Sequence, residues 1–144
     1  MHNAKVIIQK MIIFILGLPV LLIMLYIGFE IVGMAVNHAA GSSQTKKFTS
    51  YAEEHGYDII CSDTFVGNSG NGNHVDLISK VFIRSDKTRE ELLTALAGYG
   101  EGDISVNLPD EDELTKVGIS GPADGILMLR LFNPAPFVDN IEGH

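Results

Sequence analysis

The sequence predicts an α+β fold: one N-terminal transmembrane helix followed by a small two-layer α/β sandwich, in the order α-β-β-α-β-β with a mostly antiparallel sheet. Three observations carry this expectation. No side chain from Met11 to Phe29 is charged. Beyond residue 44, apolar residues recur twice with the i, i+3, i+4 spacing of a helix face. Around and after those stretches they alternate with the period of a strand. Two amphipathic helices and one sheet bury their apolar faces most economically as two packed layers.

The anchor comes first. At about 1.5 Å per residue, a helix over residues 11–29 is roughly as long as a bilayer's hydrocarbon core is thick. Lys5 and Lys10 precede the run, Glu30 ends it, and Ile31 to Val36 is apolar again. The helix is therefore expected over residues 11–36, behind a short cytoplasmic tail of residues 1–10. Gly17 and Pro19 fall near its middle, where proline removes a backbone donor and favours a bend. Glu30 is expected at the membrane interface, since an ionisable group within hydrocarbon needs a partner or water. A cleaved signal peptide is the competing reading, with Gly33-Met34-Ala35 as a small-x-small cut site. Cleavable hydrophobic regions usually run about 7–15 residues, which favours retention of this longer run. Lys5 and Lys10 lie closer to the membrane than Lys46 and Lys47, so the N-terminus is expected in the cytoplasm and the domain outside.

Residues 37–44, rich in Ala, Gly and Ser, read as a short polar linker to a domain over residues 45–144. Ser43 or Thr45 is positioned to cap a helix with Phe48, Tyr51, Ala52 and His55 on one face, and Gly56 is its stop. In the next strand Tyr57, Ile59, Cys61 and Phe65 are expected on one face, interrupted by Asp63. Residues 74–84 alternate more cleanly, with Val75, Leu77, Val81 and Ile83 opposite Asp76, Lys80 and Arg84. The Gly- and Asn-rich connection over residues 67–73, including Gly70 and Asn71, makes these two strands an antiparallel hairpin with a long tip.

Thr88 and Glu91 have capping-box spacing ahead of a second helix with Leu92, Leu93 and Leu96 buried, ended by Gly98 and Gly100. Ile104, Val106 and Leu108 form a third strand that stops at Pro109. In the last strand, residues 125–132, Leu127, Leu129 and Leu131 point inward. Ile126 and Met128 make its other face apolar too, which places it in the sheet interior.

Charge narrows the function classes. Residues 41–144 carry eight Lys and Arg against seventeen Asp and Glu, a net −9. Such a surface repels phosphate backbones and anionic headgroups, which argues against nucleic acid as a partner. Cys61 is the only cysteine, so the monomer has neither an intramolecular disulfide nor a Cys-based zinc site. There is no Asn-x-Ser/Thr acceptor, which leans towards a bacterial envelope.

No reaction is spelled out. The glycine-rich stretch lacks the Lys-Ser/Thr ending of a phosphate loop and precedes a strand, so it reads as a hairpin tip. Asp110 to Glu113 gathers four carboxylates without the spacing that surrounds a calcium ion, and reads as a solvated acidic loop. The histidines have no i, i+3 or i+4 pair, leaving His55 and His74 to meet only through folding. Ser62 and Ser120 lack a nucleophile elbow. No catalytic, metal or cofactor site is assigned. Arg130 is the exception on an otherwise apolar strand face, and Ile126, Met128, Arg130 and Phe132 are expected to form a contact surface, with Gly70 and Asn71 as adaptable loop contacts. The resulting expectation is a non-catalytic, single-pass protein of a bacterial inner or plasma membrane, its domain binding a protein partner as an accessory subunit or inhibitor. A small-ligand sensor with the glycine-asparagine loop as lid, and a membrane-bound hydrolase, are the alternatives.

Overall fold

In the computed structural model, which describes residues 2–70, 72, 74–121, 123–138 and 141–142, helix α1 spans His2–Glu54 without a break. Four strands follow, β1 (Asp58–Gly67), β2 (Asp76–Arg84), β3 (Asp103–Asn107) and β4 (Ile126–Pro134). Helix α2 (Arg89–Leu96), with a 3-10 turn at Ala97–Tyr99, precedes β3, and a short helix α3 (Glu111–Lys116) lies between β3 and β4. The sheet order is β1-β2-β4-β3 and every pairing is antiparallel. The molecule is thus α+β, a long apolar helix followed by a four-stranded antiparallel sheet with helices.

The expected linker over residues 37–44 does not exist as one, because those residues are helical. Ser43 and Thr45 accordingly cap nothing. The helical stripe Glu30, Gly33, Asn37, Gly41, Thr45, Phe48 and Ala52 is buried along one face. Small and polar residues that resemble a linker in composition are what a helix needs to lie close to a sheet. A Cβ on Gly41 would stand 2.7 Å from Val66 Cγ2, so the close approach there requires glycine. Thr45 donates to Ser79 Oγ at 2.8 Å and accepts from Thr64 Oγ1 at 2.7 Å. Gln44 donates to Ser79 Oγ at 3.0 Å and accepts from Asn133 at 3.0 Å. Gly56, at φ 77°, stops the helix as expected.

The main core lies between the sheet and the α1/α2 layer. Phe48, Ala52, Leu92 and Leu96 pack there against Val81, Ile83, Val106, Leu127, Leu129 and Leu131. Phe48 and Tyr51 meet the Tyr99 ring with centroids 5.2 Å and 5.0 Å away. The Thr88–Glu91 capping box forms, and the hydrogen bonds from Thr88 hold the Glu91 carboxyl below its ordinary pKa. Leu93, expected in the buried stripe, is exposed.

The opposite sheet face carries a second, smaller cluster, which the two-layer expectation lacks. Leu114 of α3 covers Phe82, Ile126 and Met128, with Ile60, Cys61, Val117 and Ile119 around them. The residues read as an acidic loop are the start of α3: Asp110 caps it, accepting from Glu113 N at 2.7 Å, in a second capping box. Such a cap stabilises by about 1 kcal/mol, and Glu111, Asp112 and Glu113 suit the positive end of the helix dipole. In β1 a bulge between Ile59 and Cys61 inserts one residue. The expected single face of Ile59, Cys61 and Phe65 is therefore split: Ile59 joins the α1 side, while Cys61, Asp63 and Phe65 turn to the α3 side.

Candidate functional site

Two regions stand out, the free part of α1 with its junction to the domain, and the sheet face beside α3. Residues 11–29 of α1 are exposed, with Phe14 at 67% and Met24 at 66%. From Glu30 on, one face of the helix is covered. A strap after β4 contributes Phe137, whose ring lies 4.7 Å from the Phe29 ring and over Gly33. Asn37 clamps the strap by a reciprocal pair of bonds, donating to Phe137 O at 3.0 Å and accepting from Phe137 N at 3.1 Å. His38 Nε2 and Glu142 Oε1 are 2.6 Å apart beside it. Glu30, expected at an interface, is fully buried.

On the sheet, register sets Asp63, Lys80, Arg130 and Ser105 side by side across β1, β2, β4 and β3. Lys80 and Arg130 are directly opposite each other, an arrangement of like charges that is unfavourable unless neutralised. Glu113 of α3 neutralises Lys80 at 2.5 Å, and Asp63 lies 3.8 Å from Lys116. Among the described residues none pairs with Arg130 within ion-pair distance, and its buried Nε has no acceptor. A hollow opens on either side of Arg130. One of about 230 Å³ is lined by Phe65, Ser69, Ile78, Lys80 and Glu113, the other of about 310 Å³ by Asp103, Ile104, Ser105 and Phe132.

Ser69, from the connection between β1 and β2, lines the hollow on the β2 side of Arg130. Asp76, fully buried, accepts from the Ser69 backbone N–H at 3.2 Å and from the Ser69 hydroxyl, and His74 Nε2 stands 3.2 Å from its other oxygen. The strand thus holds the loop by its base, although the pattern of glycines and asparagines conveyed only flexibility.

The expected contact surface is only partly assembled. Ile126 and Met128 are buried beneath Leu114 and belong to the second cluster, which removes them from any outer surface. Arg130 and Phe132 are half-exposed and do share the groove. Gly70 is exposed at the tip, and Asn71 lies outside the described residues. His55 and His74 stand beyond opposite ends of the ten-residue β1, roughly 30 Å of strand apart. Among the described residues no three His, Cys, Asp or Glu side chains converge to hold a metal. Among the same residues no histidine lines either hollow, so neither Ser69 nor Ser105 shares its hollow with an imidazole base. Burial, and then the Asp63 carboxylate, push the Cys61 thiol above its ordinary pKa and so keep it protonated near neutrality. The chemistry on offer is recognition of an anion by a guanidinium between mixed walls, with Phe65, Ile78 and Phe132 apolar and Ser69, Ser105, Asp103 and Glu113 polar. Comparison with known proteins found no matching family model, curated sequence or solved structure.

Proposed function

We propose that this chain is a single-pass, membrane-anchored protein of a bacterial envelope, with its acidic domain outside the cytoplasm and bound there to a protein partner without catalysing a reaction. The observation that carries the reading is where the burial of α1 begins. Residues 11–29, apolar and exposed, rise roughly 28 Å, close to the thickness of a hydrocarbon core at about 30 Å. Protein cover then starts at Glu30, so the carboxylate meets protein where the bilayer would end. With no flexible link, the domain is held at a set height and orientation over the membrane. A partner must therefore approach close to the bilayer, and the half-exposed Arg130 and Phe132 groove is the face offered to it. A sensor would enclose its ligand, whereas both hollows beside Arg130 are open and small.

Extraction and protease protection test the anchor and its direction. The protein should stay with membranes washed in alkaline carbonate, and protease added to intact spheroplasts should remove residues beyond the membrane. Release by carbonate sinks the anchor, and protection until lysis reverses the orientation. Crosslinking in intact membranes should capture a second protein; recovery of this chain alone counts against the partner.

A further inference from the structure

We infer that the groove beside α3 binds a carboxylate carried on an extended segment of the partner polypeptide, gripped by the Arg130 guanidinium. The inference rests on the reading of this face as the binding face. Of the three cations that meet here, Lys80 is neutralised by Glu113 at 2.5 Å and Lys116 faces Asp63 at 3.8 Å. Among the described residues Arg130, directly across from Lys80, is left as the one uncompensated cation of the three, and Asp103 on the far wall sits opposite Phe132 rather than opposite it. Its Nε is buried without an acceptor. A single carboxylate neutralises this cation, because the guanidinium fork donates two parallel bonds to two oxygens.

The surroundings select among anions. A net −9 over residues 41–144 opposes the approach of phosphate-rich ligands, while one carboxylate needs only one free cation. Of the two open hollows on either side of Arg130, the one of about 230 Å³ is below the range of small-molecule pockets and the one of about 310 Å³ is at its low end, but they match side chains flanking a central acid. Phe65, Ile78 and Phe132 supply apolar surface for those neighbours. The favoured occupant is thus an Asp or Glu with an apolar residue next to it.

The test uses the full-length chain in detergent micelles and follows the Arg130 Nε–Hε signal by NMR, one of only three arginine side chains. Acetyl-Val-Glu-Val-amide should move that signal saturably. Its Gln counterpart should bind at least about tenfold more weakly, as expected for loss of a charge-assisted bond. Arg130→Gln should weaken the Glu peptide to the same degree, followed through the Ser105 and Phe132 amides, and Arg130→Lys should restore part of the affinity. Should the Gln variant fail to fold, the Glu/Gln peptide pair on the unaltered protein still decides. Absence of a saturable shift at millimolar peptide, equal binding of Glu and Gln peptides, or binding unaffected by Arg130→Gln overturns the inference. So does phenylpropionate binding as tightly as the peptide, which would make the ligand a free acid. A partner captured by crosslinking with no Glu-peptide binding would sink the carboxylate groove and leave the partner reading standing.

Discussion

Residues 11–29 and residues 30–54 belong to one uninterrupted helix, yet the first stretch leaves Phe14 two-thirds exposed and the second buries Phe48 completely. Apart from the one donor that Pro19 lacks, both stretches are α-helical throughout, so the contrast in exposure comes from side chains. In the first stretch bulky apolar residues point in every direction, as on a helix surrounded by hydrocarbon. In the second, Ile31, Val32 and Val36 are still exposed, but beyond Val36 the bulky apolar residues withdraw to a narrow stripe, and small or polar residues take the places where the sheet comes near. One helix therefore runs from an exposed apolar rod into a domain core without a joint between the two.

The sharpest way to break this comparison is to remove one phenylalanine from each half. Phe48→Ala should destabilise the domain by about 3–5 kcal/mol. Phe14→Ala should leave the domain's denaturation midpoint unchanged, both measured by chemical denaturation in micelles. Equal losses would show that the free half also supports the domain. Next in size is Gly41→Leu, which forces side-chain atoms into Val66 and should cost about 3 kcal/mol. The same change at Gly28, which has nothing within 4 Å of a built Cβ, should cost the domain nothing.

A smaller effect should sharpen the boundary between the halves. Asn37→Ala leaves the Phe137 backbone groups without their partners, at about 1–2 kcal/mol. Faster amide exchange at Phe137, with the sheet still protected, is the expected signature; unchanged exchange would mean that the strap is held elsewhere. The smallest effect lies in the domain alone. The Glu91 carboxyl has a lowered folded pKa, so its contribution is present above the ordinary glutamate pKa of about 4.3 and is lost as pH falls below it. Glu91→Gln should flatten that part of the stability profile, and an identical profile would show that the capping box titrates without consequence.

Much of the domain was legible locally. Alternation identified the β1–β2 hairpin, and the doubly apolar pattern of residues 126–131 correctly placed β4 inside the sheet, between β2 and β3. The Thr88–Glu91 spacing announced its cap. What misled was composition read without context. Ala39, Ala40, Gly41, Ser42 and Ser43 look like a linker when the sheet that presses on Gly41 is out of view. Asp110 to Glu113 look like a solvated loop until Leu114 finds Phe82, because four charged residues give no apolar period from which to read so short a helix. The contact surface failed at Ile126 and Met128 for the same reason, since α3 is what covers them. Asn37 and Phe137, a hundred residues apart, offered no sequence signal for their pairing.

By itself the sequence determined the apolar rod, the acidic charge of the domain behind it, and the strand and helix periods, because each is a property of neighbours along the chain. Tertiary structure alone decided where the rod becomes a buried helix, which way the side chains of β1 turn after its bulge, and that Lys80 and Arg130 stand opposite each other with only one of them neutralised. Those outcomes depend on register and close approach between distant segments, and a residue's neighbours in space are not written in its neighbours in sequence.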